Sequence, residues 1–139
     1  MIRDTVVTFD SREKSISEVG EIIASRPGAF FVAEDCDGVP GFASFAQFRP
    51  GTGYTSTMEH TIMLRENARA QGTGRALMET ILTTARDHSC RVMVAALSGE
   101  NTSAIAFHRA LGFEHAGLIA QAGRKFGRWH DLILMQRQL

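Results

Sequence analysis

The residues best suited to chemistry lie in a short glycine-rich turn near the middle of the chain. Gly72, Thr73 and Gly74 follow a polar stretch and open a segment with helical spacing of apolar residues. Glycine lets the backbone approach a ligand closely, and the first N–H groups of a helix have no acceptor within it. The helix dipole also favours negative charge there. The pattern predicts a phosphate or pyrophosphate site, to which Arg69 and Arg75 add positive charge.

The alternative is a turn that uses glycine only to begin a helix tightly, because short glycine patterns occur in many unrelated loops. Two other phosphate-binding motifs are excluded. Arg75 and Ala76 follow Gly74, so no G-x-x-x-x-G-K-[ST] loop is present. Leu77 stands where a G-x-G-x-x-G loop requires its third glycine.

Size and composition restrict the class of protein. The chain has 139 residues, which fits one domain, and its 15 basic and 15 acidic residues cancel. No global field therefore attracts nucleic acid or an anionic membrane, and we expect neither as a partner. No apolar run approaches the roughly 20 residues that span a bilayer, and residues 1–5 show no signal peptide. Cys36 and Cys90 match no metal or redox spacing. We expect reduced thiols, a cytoplasmic protein and no metal.

The first half of the chain predicts one helix, three strands and then the helix of the glycine turn. A capping box at residues 15–18 predicts the first helix. Residues 29–34 and 41–48 predict a hairpin, with a turn at residues 35–38, and residues 57–64 predict a third strand. The second helix carries apolar residues at helical spacing: Leu77, Met78, Ile81, Leu82 and Ala85.

The second half predicts a strand, a helix and two final strands. Residues 92–97 form an apolar run typical of a central strand. Residues 101–110 predict a short helix with a polar N-cap, closed by Gly112 in a left-handed conformation. Residues 113–118 and 129–136 predict an antiparallel pair. This order of elements predicts an α+β or mixed α/β domain around one sheet.

Residues 69–74 resemble the R/Q-x-x-G-x-G/A signature of the GNAT N-acetyltransferase superfamily. Several other segments are similar to its phosphinothricin acetyltransferase branch, so the resemblance covers nearly the whole chain. These segments are 48–54, 59–64, Glu100-Asn101 with His108, 111–113 and 123–132. The resemblance implies a mostly antiparallel central sheet flanked by helices, acetyl-CoA as cosubstrate, a small-molecule amine as acceptor and a homodimer.

The chain departs from the family pattern in two places. Family members usually begin with a strand and a helix before the segment that matches residues 2–9, so we expect the fold to lack both. That missing part normally helps to build the substrate pocket and one sheet edge. Ala70 is the smaller departure, because many members have glycine there.

The resemblance assigns the cofactor-binding residues. Ile62, Met63 and Leu64 would pair through their backbone with the pantetheine arm, as an added strand would, and one N–H would steady the thioester oxygen. Asn101 is expected to bond the same arm, a role compatible with capping a helix. The diphosphate would be wrapped by residues of the glycine turn: Arg69, Ala70, Gln71, Gly72, Thr73, Gly74 and Arg75.

The resemblance also suggests two catalytic residues. Glu59 is the candidate general base, because an amine must lose a proton before it attacks a thioester. The alternative is a solvated strand glutamate or an ion-pair partner. His108 lies where many members place a tyrosine that protonates the departing thiolate. Its alternative is a histidine that is satisfied within the helix packing.

The acceptor is expected to meet residues from two loops. Arg49 and Tyr54 precede Glu59, and the guanidinium suits a carboxylate or phosphinate. Lys125 and Trp129 belong to a basic cluster that could instead reach a CoA phosphate or a second subunit. For both pairs the alternative is a purely structural or solvated role.

Together these features predict direct transfer of acetyl from acetyl-CoA to the α-amine of an amino acid or analogue, in a ternary complex without an acyl-enzyme. Phosphinothricin, methionine sulfone and methionine sulfoximine are the model acceptors. Two rivals stay open. One is a CoA-binding regulatory or vestigial module, and the other is an enzyme that acetylates a protein N-terminus.

Overall fold

The structure, a computed structural model, describes residues 2–3 and 5–139. Part of the segment predicted to lack a signal peptide, Met1 and Asp4, lies outside them. The helices are α1 (Ile16–Ala24), α2 (Thr73–Asp87) and α3 (Thr102–Ala110). The strands are β1 (Phe30–Asp35), β2 (Gly38–Gln47), β3 (Thr57–Leu64), β4 (Val92–Ser98), β5 (Glu114–Lys125) and β6 (Arg128–Gln138).

The strands follow the order β1-β2-β3-β4-β6-β5 in one sheet. The pairs β1–β2, β2–β3 and β5–β6 are antiparallel. The predicted order of helices and strands and the mixed fold class are therefore confirmed. Within the described residues, no helix or strand precedes α1.

The chain divides into two compact units. One, here called the turn unit, comprises Gly20–Met93 with Gln138–Leu139. The other, here called the hairpin unit, comprises the residues up to Val19 together with Val94–Arg137.

In the turn unit, α2 packs on β1, β2 and β3. The apolar face predicted for α2 is confirmed, because Met78, Ile81 and Ala85 have no exposed surface. Ala43 and Phe45 on β2 are also buried. Gly41 lets β3 approach β2, since an added Cβ would lie 2.5 Å from the Met63 carbonyl oxygen. This packing holds β3 and the start of α2 in place.

The long β5–β6 hairpin is the largest element of the hairpin unit. The prediction of a strand at residues 113–118 was wrong at its end, because β5 continues to Lys125 through a bulge at residues 120–122. There Gln121 adopts a positive φ of 54° and donates its N–H to Asp131 Oδ1 at 2.9 Å. Between residues 119 and 124 all residues are exposed except the partly buried Gly123, so no alternating buried face marks this part of the strand.

Local signals at the helix ends are confirmed. The Glu18 N–H donates to Ser15 Oγ at 3.2 Å, and the Ser15 N–H donates to Glu18 Oε2 at 2.7 Å, which is the predicted capping box. Gly112 follows α3 with a φ of 84°.

The described part of the N-terminal segment packs on the hairpin. The Phe9 ring stacks on His130 with 5.7 Å between ring centroids. Gly123 makes room for this ring, because a Cβ there would overlap Phe9 Cδ2.

Candidate active site

The glycine turn presents backbone donors that the protein itself does not use. Gly72 is the N-cap of α2 and adopts a left-handed conformation, with φ 85° and ψ −11°. The first helical hydrogen bond runs from the Ala76 N–H to the Gly72 carbonyl at 3.0 Å. Within the described residues, the N–H groups of residues 71–75 have no protein acceptor. The turn therefore offers a cluster of free donors at a helix N-terminus, which is the chemistry of an anion site.

Three further features shape the turn around these N–H donors. Ala70 has a positive φ of 61°, an uncommon conformation for a residue with a Cβ. The space beside Gly72 is empty, since a Cβ there would meet nothing within 4 Å. Gln71 Nε2 braces the loop by donating to the Asn67 carbonyl at 2.7 Å.

The two arginines of the turn remain near the surface. Arg69 is exposed. Arg75 Nη1 lies 3.6 Å from Glu79 Oε1, but both side chains are more than half exposed. Such a surface ion pair contributes little to stability, so Arg75 can pair with a bound anion instead.

Glu59 lies on β3 opposite Ala46 of β2 and is partly buried. Burial raises the pKa of its carboxyl, and the positive charge of Arg26 opposes this rise. Within the described residues, the Glu59 carboxylate has no hydrogen-bond or ion-pair partner. A carboxylate of this kind can accept a proton, because none of its oxygens is committed.

Residues 62–64 share the strand with Glu59. On one side they pair with β2, in the register Ala43↔Ile62, Phe42↔Met63 and Gly41↔Leu64. The turn unit therefore brings together three groups of predicted residues: the base, the predicted pantetheine strand and, through the connection that follows β3, the glycine turn.

Arg26 was missed by the sequence analysis. It follows α1, and its Nη1 donates to Ser44 Oγ at 2.6 Å. Ser44 is fully buried, and its register neighbours are Phe30 and Thr61. No spacing motif marks Arg26, which directly precedes Pro27 and Gly28.

Arg49 and Tyr54 lie together in the loop between β2 and β3. The Arg49 guanidinium carbon is 5.5 Å from the centre of the Tyr54 ring, a cation–π contact. Gln47 Nε2 holds the loop by donating to the carbonyls of Arg49 and Gly51 at 2.7 and 2.8 Å. Tyr54 is 42% exposed, so this pair is accessible to an acceptor.

The hairpin unit contains the other predicted residues. Asn101 caps α3, with its side-chain oxygen accepting from the Ala104 N–H at 3.1 Å. His108 is 1% exposed and lies edge-on to Phe107 and Phe113. Its Nδ1 is 2.7 Å from the Ala104 carbonyl, and burial lowers its pKa. A neutral ring with the proton on Nδ1 is therefore favoured, and this state suits packing better than proton donation from Nε2.

Lys125 and Trp129 differ in exposure. Lys125 is 3% exposed, and its ammonium donates to the carbonyls of Thr8, at 2.8 Å, and Ile2. It is thus bound inside the protein rather than presented to an acceptor. Trp129 is 57% exposed and carries the Arg124 guanidinium 5.5 Å from its ring.

An ion-pair network that the sequence did not indicate joins the β5–β6 hairpin to Glu100, which follows β4. Glu100 accepts from Arg128 Nη1 at 2.8 Å and contacts His130 Nδ1. His130 Nε2 lies 3.0 Å from the Lys125 carbonyl, and the ring is 2% exposed. The Arg128 and His130 contacts lower the pKa of Glu100.

The described residues offer little for other kinds of site. Across residues 2–3 and 5–139, no group of three or more His, Cys, Asp or Glu could hold a metal ion. Both thiols are free, and burial raises the pKa of Cys90. None of the helices in the same part of the chain has the length and apolar character needed to cross a membrane.

Residues 2–134 match the family described as Acetyltransferase (GNAT) domain. The chain belongs to the GNAT acetyltransferase family. It is 43% identical over 109 residues to the L-methionine sulfoximine/L-methionine sulfone acetyltransferase of Pseudomonas aeruginosa PAO1. The matched residues make up 78% of this chain and 63% of that protein. The chain thus spans somewhat less than two thirds of the length of that relative.

Several solved structures are similar over 99% of this chain, including two that are named for their acceptors. The GNAT superfamily phosphinothricin acetyltransferase from Sinorhizobium meliloti, in complex with AcCoA, has a TM-score of 0.93 and 36% identity over 77% of its chain. The ribosomal-protein-alanine N-acetyltransferase from Brucella melitensis has a TM-score of 0.94 and 33% identity over 87% of its chain. The resemblance identified from the sequence is therefore confirmed.

Proposed function

We propose that this protein transfers the acetyl group of acetyl-CoA to the α-amine of a small amino acid or analogue. The observation that carries the proposal is the set of unused N–H donors at residues 71–75, at the start of α2. Preorganised donors at a helix N-terminus suit a diphosphate, which is the part of acetyl-CoA that the turn would hold. Arg69 and Arg75 would add charge at its rim.

The chemistry is assigned to β3. Acetyl-CoA supplies the acetyl thioester. Glu59 takes a proton from the acceptor ammonium, directly or through water, which leaves a neutral and nucleophilic amine. The backbone of residues 62–64 holds the pantetheine arm, and one N–H stabilises the oxyanion that forms when the amine attacks. When this adduct collapses, the C–S bond breaks and CoA leaves as a thiol, taking up the proton that the attacking nitrogen loses. Positioning contributes most, because both reactants are bound in attack geometry.

The acceptor class follows from the relatives and from the loop before β3. The relative in Pseudomonas aeruginosa is named for methionine sulfoximine and methionine sulfone, and the solved Sinorhizobium structure for phosphinothricin. In our proposal Arg49 and Tyr54 contact the polar side-chain end of such an acceptor. Trp129 stays a predicted contact of the acceptor, and Asn101 stays a predicted contact of the pantetheine arm. His108 and Lys125 are given no chemical role, because the Nδ1 of His108 and the ammonium of Lys125 are engaged internally.

The test is a thiol-release assay with acetyl-CoA and a panel of amines, combined with calorimetry of acetyl-CoA binding. We expect binding, and turnover with L-methionine sulfone. Absence of acetyl-CoA binding to the folded protein would contradict the proposal. Binding without turnover on any amine would favour the CoA-binding regulatory module.

A second candidate is acetylation of a protein N-terminus, which is favoured by the similarity to the ribosomal-protein-alanine acetyltransferase. A panel of short peptides with free N-termini in the same assay separates the two. Preference for an N-terminal alanine peptide over methionine sulfone would replace our proposal with this one.

Two further expectations complete the proposal. We infer a homodimer from the resemblance, and light scattering of the purified protein tests it. We infer a cytoplasmic location, since Cys36 and Cys90 form no disulfide with each other. Cell fractionation tests the location.

A further inference from the structure

Arg26 is a partly buried arginine for which the protein supplies no carboxylate. Its Nη1 donates to Ser44 Oγ at 2.6 Å, and this is its only side-chain hydrogen bond within the described residues. No acidic side chain in the same part of the chain lies within ion-pair distance of it. A guanidinium has five N–H donors, so most of them remain available. Withdrawing a cation from water without pairing it is costly, which suggests a partner that is not part of this chain.

The neighbours of Arg26 on the sheet place it near Glu59. Ser44 faces Thr61 across the β2–β3 pair, and Ala46 faces Glu59 one step further along the same face. Residues two apart on a strand are separated by about 7 Å. Arg26 is also the one arginine among the described residues whose charge acts on the Glu59 carboxyl. The guanidinium therefore lies near the proposed base, yet does not pair with it.

The face between them is open to a ligand. Ser44 is fully buried beneath Arg26, but its cross-strand neighbour Thr61 is exposed. Phe30 and Phe42 stack beside Ser44, with 5.1 Å between ring centroids, and form an apolar side to the same face. The arrangement offers a cation, a free carboxylate and an apolar wall around an accessible threonine.

We propose that Arg26 binds the α-carboxylate of the acceptor and thereby restricts the enzyme to amines that carry a carboxylate one carbon away. This inference rests on the proposed function. In an α-amino acid the carboxylate and the amine share one carbon, so the group that holds the carboxylate must lie close to the base. Arg26 meets this requirement. Ser44 is a positioning residue, which fixes the guanidinium through the bond to Nη1.

The test compares two acceptors with the same side chain, L-methionine sulfone and the amine that remains after its decarboxylation. For Arg26→Gln we expect kcat/KM for methionine sulfone to fall about 10- to 100-fold, the scale of a charge-assisted hydrogen bond. Both proteins are compared at a pH above the activity limb of Glu59, because loss of the Arg26 charge raises the pKa of that base. There the value for the decarboxylated amine should fall much less than the value for methionine sulfone, and the affinity for acetyl-CoA should be kept. The matched control is Arg86→Gln, which removes an exposed guanidinium from the last turn of α2.

Ser44→Ala is a second variant that retains the charge. We expect it to lower the preference for methionine sulfone over the decarboxylated amine in the same direction, but by less than tenfold. An equal loss for both acceptors in Arg26→Gln, or no loss for either, would overturn the inference.

Failure of the proposed function is recognised separately. If the wild-type protein releases no thiol with any acceptor, calorimetry with methionine sulfone in the presence of CoA decides the role of Arg26. Binding that is lost in Arg26→Gln upholds the carboxylate site. Equal binding by both proteins, or none by the wild type, rejects it.

Discussion

The glycine turn and the β5–β6 hairpin are both basic, yet they leave very different groups available. In the turn, the N–H groups of residues 71–75 have no acceptor within the described residues. In the hairpin, Lys125 is bound to backbone carbonyls, Arg128 to Glu100, and Arg124 lies on Trp129. A run of positive residues therefore indicates charge, whereas a binding site requires donors that the fold has not already used.

The same contrast holds for the two carboxylates. Glu59 is partly buried and has no partner among the described residues, so its pKa is raised. Glu100 is held by Arg128 and His130, so its pKa is lowered. One is suited to exchange protons and the other to fix a hairpin.

The largest effect should come from replacing the free carboxylate. We expect Glu59→Gln to lower kcat about 10²- to 10³-fold, the usual contribution of a general base. The amide cannot accept the proton, but it is nearly isosteric, so acetyl-CoA affinity should be kept. Stopped-flow thiol release and calorimetry measure the two quantities.

The matched variant is Glu100→Gln, which removes a carboxylate that already has partners. We expect it to lower the melting temperature while the chemical step is kept. If Glu100→Gln were as inactive as Glu59→Gln, with a normal melting temperature, the contrast between the two carboxylates would fail.

A tenfold or greater loss of acetyl-CoA affinity is expected for Gly72→Ala. Gly72 and Gly127 both have a positive φ, 85° and 73°, with empty space where a Cβ would stand. Alanine in this conformation costs about 1–2 kcal/mol at either position. Only at Gly72 would the methyl group also meet the diphosphate. Gly127→Ala is therefore the control, and equal acetyl-CoA affinities for the two variants would argue against a diphosphate on the turn.

Lys125→Met should affect stability rather than activity. The carbonyls of Ile2 and Thr8 lose their charged donor, and a partly buried group without a partner costs about 1–3 kcal/mol. Urea unfolding measures this loss. An increase in the KM of the acceptor at unchanged stability would instead restore Lys125 to the substrate site.

The smallest effects are those of pH. Since the pKa of Glu59 is raised, kcat/KM should decline below a pH that lies above the usual carboxyl range, and Arg26→Gln should move this decline to higher pH. If kcat/KM instead declined at the usual pKa of glutamate, burial of Glu59 would not explain its role.

The pKa of Glu100 is lowered, so the contribution of this carboxylate to stability is complete above its unfolded pKa and is lost as the pH falls through its folded pKa. Acid unfolding of the Glu100→Gln protein should lack this pH dependence.

Much of the fold was predictable because its signals are local. The capping box, the hairpin turn and the left-handed Gly112 each depend on a few adjacent residues. The glycine turn was predictable for the same reason. Arg26 was not, because its significance depends on Ser44, 18 positions away on another strand. The burial of Lys125 likewise depends on carbonyls more than 100 positions earlier in the chain.

The contact of Gly123 with Phe9 has a practical consequence for protein engineering. Since the ring occupies the volume of any side chain at that position, a substitution there would displace the segment around Phe9 from the hairpin. Lys125 would then lose its acceptors on that segment, and the His130 ring would lose its stacking partner. Limited proteolysis should therefore cleave the leading residues and the hairpin of a Gly123→Val protein together, as a single loosened part.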